Sequence, residues 1–474
     1  MARSSRRPNP TTSSGSPFRI TPSSSSLPVC SQAMPSKPHA TARHLRQNLA
    51  TLALCLSLAH CSIDALDPPE FPDGGLLAQS IPPALGPLAA LAGNYHTAGS
   101  TRFGDAVSVS VVRDHVSIFA SNTVYAITRA GCLSDHRLIL EGSWRRANAL
   151  NTGLLRLEVR PAEVAEALCT LDTVIAPELL DSIALIGTLG EGSGEPSTPL
   201  SLLLRKPLKD MSNFRIVAHR GGCRTSDECG AAENSLEVLR MAEFLGANAV
   251  EIDTSITKDG VPIVYHDEAF SARLTQGNYC FGPINEFTLA HVRALCRLEN
   301  GEQVPTLEEA LTVILDETDL DGVWLDIKNP ESIQSVIDVV APFRARARAE
   351  NRGLTLVYGL YSDDMIDAYL AATPDENAVC LIELDPADVR SANCQIWGPR
   401  WTRGPMSDKV ARVQASGRAV AFWTLDELDF LDIILADAKP NGILTNRPGL
   451  VFQRFQELGT PPAGPSITLD GVRP

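Results

Sequence analysis

Two histidines, three arginines and several carboxylates crowd the stretch 216–267, and many of them stand at the ends of apolar runs suited to β-strands. Val217-Ala218 leads into His219-Arg220-Gly221, Ala249-Val250 into Glu251-Ile252-Asp253, and Ile263-Val264-Tyr265 into His266-Asp267. Strand ends are where α/β barrels keep their chemistry. On a strand, residues two apart share a face, so Glu251 and Asp253 point the same way. Two carboxylates on one face repel unless a proton or a cation sits between them. A hard divalent metal meets that need most simply.

The pattern resembles the glycerophosphodiester phosphodiesterase family. The likeness is carried by HRG at 219–221, EN at 233–234, ExD at 251–253, TKDG at 257–260 and HD at 266–267. It continues in VPTLEEAL at 304–311, DIK at 326–328, FWT at 422–424 and GILTNRPG at 442–449, so it covers about residues 213–455 in order. The resemblance implies a TIM-type (β/α)8 barrel that hydrolyses glycerophosphodiesters to an alcohol and glycerol 3-phosphate with one divalent metal.

It also implies roles. His219 and His266 become the acid/base pair, a task suited to imidazole, whose ordinary pKa is about 6.5. Glu251 and Asp253 become metal ligands. The third ligand falls on Asp326, where the family typically has Glu; the shorter side chain withdraws the carboxylate by roughly 1.5 Å. All-oxygen ligation favours Ca²⁺ or Mg²⁺. Arg220, able to grip two phosphate oxygens, and Lys328, a point charge, are the phosphate-binding candidates. A plain salt bridge to Asp326 is the rival reading of Lys328. Glu233 and Asn234 are placed to orient the metal shell or the substrate, with helix capping the alternative for Asn234. Trp423 is expected as an apolar wall beside the glycerol. Asn446 stands where the family commonly has Asp.

These groups need a scaffold. After Asn213 the chain alternates strand-like with helical runs, the α/β signature. SLEVLRMAEFLG at 235–246 reads as a helix capped at Asn234 or Ser235. Later strand candidates are GVWLDIK, LTLVYGLYS, NAVCLIEL, CQIWGPRW, AVAFWTL and NGILTN. With the first three they make nine runs for eight barrel places, and the Lys258-Asp259-Gly260 turn assigns one of its arms to the rim. Before the barrel, at 88–207, short runs at 106–112, 115–120, 123–127, 137–140, 154–159 and 199–204, with one helical stretch at 161–169, predict a smaller mainly-β domain, a barrel or a sandwich. Residues 62–87 read as a Pro- and Gly-rich linker, 213–458 as the catalytic barrel and 459–474 as a loose tail.

Hydrophobic content of 44% and charged content of 20% are ordinary for a globular chain. A net charge of −15 argues against a nucleic-acid partner, yet leaves room for one basic pocket and a small phosphodiester substrate. Residues 1–61 read as a polar leader, a short apolar run at 49–59 of the kind found in signal peptides, and Cys61 at a lipobox-like site, with Met1 and Met34 the alternative starts. The chain is thus expected in the bacterial periplasm or lipid-anchored to the envelope through Cys61, with no protein partner inferred. Eleven cysteines include eight beyond the leader. The expected pairs are 132–169, 223–229, 280–296 and 380–394. Rival functions are a phospholipase acting on intact lipids, of the phosphatidylinositol-specific or sphingomyelinase D type, and a non-catalytic envelope binding module. A third reading gives the β domain the main role, as a glycan or lipid binder that targets the enzyme.

Overall fold

The computed structural model describes residues 68–147, 151–170, 175, 177–222 and 229–460. The leader, Met34, Cys61, the tail from residue 461 and Cys223 lie outside them, and with Cys223 the expected 223–229 pair. The other three expected disulfides are present, Cys132–Cys169, Cys280–Cys296 and Cys380–Cys394. No helix among the described residues is long and apolar enough to cross a membrane.

Eight strands near the N-terminal side close into an antiparallel barrel: β1 (Gly93–Ala98), β2 (Ala106–Val112), β3 (His115–Ala120), β4 (Val124–Cys132), β5 (Leu138–Arg146), β6 (Thr152–Arg160), β7 (Ala184–Leu189) and β8 (Thr198–Lys206). Each pairs with the next, and β8 returns to β1. Of the two architectures expected, this is the barrel. Its interior is filled, with Tyr95, Phe103, Trp144 and Leu157 among the buried side chains, so it is a packed core and not a ligand chamber. The Trp144 indole N–H finds its acceptor in the Gly190 carbonyl at 2.8 Å. The runs at 106–112 and 115–120 coincide with β2 and β3, whereas β1 and β7 went unread. β1 carries Asn94, His96 and Thr97 in its short span, and β7 is interrupted by Gly187, where a Cβ would lie 2.1 Å from the Arg156 carbonyl.

The second barrel is parallel. Its strands are Arg215–Ala218, Ala249–Ile256, Gly322–Ile327, Thr355–Leu360, Val379–Ile382, Ile396–Trp397, Ala419–Phe422 and Gly442–Thr445, with the last pairing the first to close the ring. The surplus ninth run, Pro262–Val264, lies antiparallel to Ala249–Ile256, as the Lys258-Asp259-Gly260 turn predicts. Strand alternation sorts the side chains into two cores. Val217, Ala249, Trp324, Val357, Leu381, Ile396, Ala421 and Leu444 plug the inside, while Ile216, Val250, Ile252, Val323 and Leu325 face the surrounding helices. Both barrels fall within one compact unit, Ser62–Pro474.

Trp144 fills the antiparallel barrel and satisfies its one donor, so Trp144→Ala should cost about 3–5 kcal/mol by leaving a large cavity. Urea unfolding should show a lower midpoint with an unchanged slope. An unshifted midpoint would mean that the indole is not needed by the core.

Candidate functional site

On six of the eight strands the inward-facing apolar layer is followed, two residues further along, by a larger functional side chain. Val217 is followed by His219, Ala249 by Glu251 and Asp253, Trp324 by Asp326 and Lys328, Leu381 by Glu383, Ala421 by Trp423 and Leu444 by Asn446. The plug therefore forms the floor of a cup whose wall is made of the predicted functional groups. Asp253 and Asp326 are direct partners across the two neighbouring parallel strands. One carboxylate oxygen from each of Glu251, Asp253 and Asp326 lies within 4.8 Å of the others, so the short side chain of Asp326 still reaches the group.

Charge in this cluster is incompletely balanced. Lys328 Nζ lies 2.6 Å from Asp253 Oδ1 and 2.6 Å from Asp326 Oδ2, so the salt bridge expected as its alternative is present. Burial opposes ionisation of Asp253, but Lys328 and Arg220 outweigh it and hold that carboxyl down to about 2. Glu251 goes the other way: burial first, then the Asp253 and Asp326 charges, raise it well above the usual carboxylate range. Glu251 Oε2 accepts from the Arg220 backbone N–H at 2.8 Å, and Oε1 is buried without a hydrogen-bond partner. An orphaned carboxylate oxygen beside two more carboxylates is a donor set that fits a hard divalent cation.

Local backbone geometry aims these groups. His219–Gly221 forms a single tight turn in which Arg220 takes φ 54°. Gly221, at φ 91°, must be glycine, since a Cβ there would meet Val238 Cγ1 at 2.4 Å. The turn drives the Arg220 guanidinium inward, where it donates to Glu233 Oε1 at 2.9 Å and lies 3.4 Å from Asp253 Oδ2. Arg220 is thus buried among carboxylates, and Arg273 reaches the same Glu233 oxygen, Oε1, at 3.3 Å. Asn234 does not cap the following helix. Ser235 does, accepting from the Val238 N–H, and the Asn234 amide instead donates to Asp253 Oδ2 at 2.7 Å.

The histidines are held by unlike partners. His219 Nδ1 lies 2.7 Å from Asn446 Oδ1, while the Asn446 amide nitrogen donates to Asp426 Oδ2 at 2.6 Å. An amide oxygen only accepts, so His219 carries its proton on Nδ1, leaving Nε2 unprotonated 3.9 Å from Glu251 Oε2. Burial, then the Arg220 charge, pulls the His219 imidazolium pKa down to about 4, which keeps the ring neutral at pH 7. His266 Nδ1 is bonded to Asp267 Oδ1 at 2.7 Å, and Arg273 grips that carboxylate with two hydrogen bonds of 2.7 and 2.8 Å. Trp423 donates to the Gly398 carbonyl at 2.7 Å and carries the Arg400 guanidinium 4.4 Å above its ring.

Asp426, Arg273, Arg400 and Glu383 are the participants that sequence reasoning passed over. For Glu383 the signal was available as the same two-residue alternation that places Glu251 beyond Ala249. Glu383 stands beyond Leu381, where burial and then the Asp326 charge push its carboxyl up to about 8, against the opposing pull of Arg400 and Lys328.

The fold and site define the class: an α/β barrel with a buried carboxylate cluster and two oriented histidines at one rim. Residues 219–341 match the glycerophosphoryl diester phosphodiesterase family model. The chain is 28% identical over 233 residues to the probable glycerophosphodiester phosphodiesterase 2 of Mycobacterium tuberculosis, covering 46% of this chain and 83% of that one. It is 38% identical over 116 residues to the glycerophosphodiester phosphodiesterase 1 of Mus musculus, but spans only 32% of that relative's length and 23% of its own. Among solved structures, a phosphodiesterase of Oleispira antarctica in complex with the product sn-glycerol-3-phosphate is similar at 20% identity and a TM-score of 0.41, covering 50% of this chain and 94% of that one. The parallel barrel is thus similar to glycerophosphodiester phosphodiesterases, with the family-model match confined to residues 219–341.

With a folded pKa near 8 against roughly 4.3 unfolded, Glu383 binds its proton more tightly in the native state. Its contribution to stability is therefore complete below about pH 4 and is lost as pH rises towards 8. In EDTA, Glu383→Gln should melt with wild type at pH 4, gain on it steadily up to pH 8 and level off above. A constant difference across that range would show that Glu383 titrates normally.

Proposed function

We propose that the protein hydrolyses glycerophosphodiesters to an alcohol and glycerol 3-phosphate, with His219 and His266 as its acid/base pair and a divalent metal, Ca²⁺ or Mg²⁺, held by Glu251, Asp253 and Asp326. The observation that carries this reading is the state of His219, neutral at pH 7 and with Nε2 unprotonated beside the carboxylate cluster. That nitrogen is suited to take the proton from an attacking hydroxyl. His266, fixed through Nδ1 by Asp267, is suited to hand a proton to the leaving alcohol from its other nitrogen. Lys328 and Arg220 offset the charge that the carboxylates and the phosphate would bring together. Glu233 acts through Arg220, holding its guanidinium against Asp253. Trp423 offers the substrate an aromatic wall whose indole N–H is already satisfied. When bound, the metal lowers the pKa of the attacking hydroxyl and screens the developing charge on the phosphate.

Residues 62–474 should release glycerol 3-phosphate from glycerophosphocholine with Ca²⁺ or Mg²⁺ and not with EDTA. His219→Ala and His266→Ala should each lower kcat by about 10²–10⁴-fold, the usual worth of a positioned acid or base. No release with any metal would overturn this substrate class, and activity that survives His219→Ala would overturn the acid/base assignment.

A further inference from the structure

We infer that the antiparallel barrel forms the back wall of the active site, with Phe119 and Tyr125 as positioning residues for the segments that carry His219 and Asn446. The inference rests on the proposed role of His219. A strand in a free-standing antiparallel barrel buries one face and exposes the other. β3 buries both: Val116, Ile118 and Ala120 belong to the antiparallel barrel's own core, while Phe119, 1% exposed, belongs to the core of the parallel barrel.

The Phe119 ring lies against two glycines of that second barrel. A Cβ on Gly449 would come within 2.4 Å of Phe119 Cδ1, and one on Gly246 within 3.0 Å of its Cζ. The Phe452 ring stands 5.3 Å away. Gly449 is the second residue of the helix Pro448–Leu458, three beyond Asn446, so the contact bears on the segment that presents the amide to His219.

The next turn of the antiparallel barrel reaches the other side. Ala120, Thr123 and Tyr125 face Gly222, Leu245, Asn446 and Pro448 across a gap of only about 30 Å³. Gly222 closes the His219 turn by donating its N–H to the His219 carbonyl at 2.9 Å. Asn446 itself and Gly222, which closes the His219 turn, thus lie against β3, β4 and the turn between them. A domain that only tethers or targets the enzyme needs no such contact. The carboxylate ligands sit on the strands Ala249–Ile256 and Gly322–Ile327 and take no part in this packing.

The test uses residues 62–474 carrying Phe119→Ala, Phe119→Leu or Tyr125→Ala, with divalent-ion affinity by calorimetry and kcat and KM on glycerophosphocholine. Phe119→Ala and Tyr125→Ala should lower kcat at least tenfold, with KM and metal affinity within twofold of wild type, and Phe119→Leu should recover most of the loss. Folded variants with wild-type kcat would overturn the inference, as would kcat and metal affinity falling together. Should Phe119→Ala fail to fold, Tyr125→Ala, which trims a half-buried side chain, decides alone. A readout independent of turnover separates this inference from the substrate reading: the His219 Nδ1–H proton resonance, assigned by its loss in Asn446→Ala. Its disappearance in the Phe119 and Tyr125 alanine variants supports the back wall even if glycerophosphocholine is not a substrate, and its persistence overturns it.

Discussion

Three carboxyl groups brought within 4.8 Å at the inner rim of a barrel set the terms for everything around them. Each would be expensive to ionise in that setting without compensation. Lys328 bridges Asp253 and Asp326 and the Arg220 guanidinium also approaches Asp253, yet Glu251 is still driven towards its neutral form. Much of the surrounding architecture answers this imbalance. The left-handed turn at Arg220 delivers both a guanidinium and a backbone N–H, and Asn234 gives up its capping position to donate to Asp253. Arg273 links Glu233 to Asp267, so the arrangement of charges around the carboxylates reaches the second histidine.

The strand pattern makes such crowding buildable. Period-two alternation places an apolar plug beneath the charged layer, which denies water access from below and fixes the height of each carboxylate. Direct pairing of Asp253 with Asp326 follows from parallel register and not from side-chain reach. The antiparallel barrel adds a second kind of constraint. Its core is closed and filled, and the aromatic residue that leaves that core enters the neighbouring one.

The parallel barrel was legible because its strands are dense in Val, Ile and Leu and end in polar residues of fixed type. The nine candidate runs included all eight staves, and the surplus was the hairpin arm that its Asp-Gly turn marks. Proximity in sequence sufficed for Cys280–Cys296 and Cys380–Cys394, and the longer Cys132–Cys169 pair joins the end of β4 to the end of the helix after β6. β1 and β7 were unreadable, since polar residues in one and a central glycine in the other erase the apolar period. Glu383 follows the two-residue alternation but belongs to no motif, and Arg400 has neither, so it looks like any surface charge. Phe119 looked like one more apolar residue of β3, although its place between Ile118 and Ala120 set it on the outward face. Its meaning lies in a glycine 330 positions later.

One feature of the His219 pair bears on how the protein meets acid. A carboxylate facing an imidazole nitrogen gains a proton as pH falls and then competes for the hydrogen bond. Asn446 has nothing to gain over that range, because an amide does not titrate, and its orientation is fixed by Asp426 through both its side-chain and backbone nitrogens. The tautomer of His219 is therefore set by a partner whose polarity stays the same from neutral to mildly acidic surroundings. On acidification the ring takes its second proton at Nε2, and burial has already moved that event down to about pH 4.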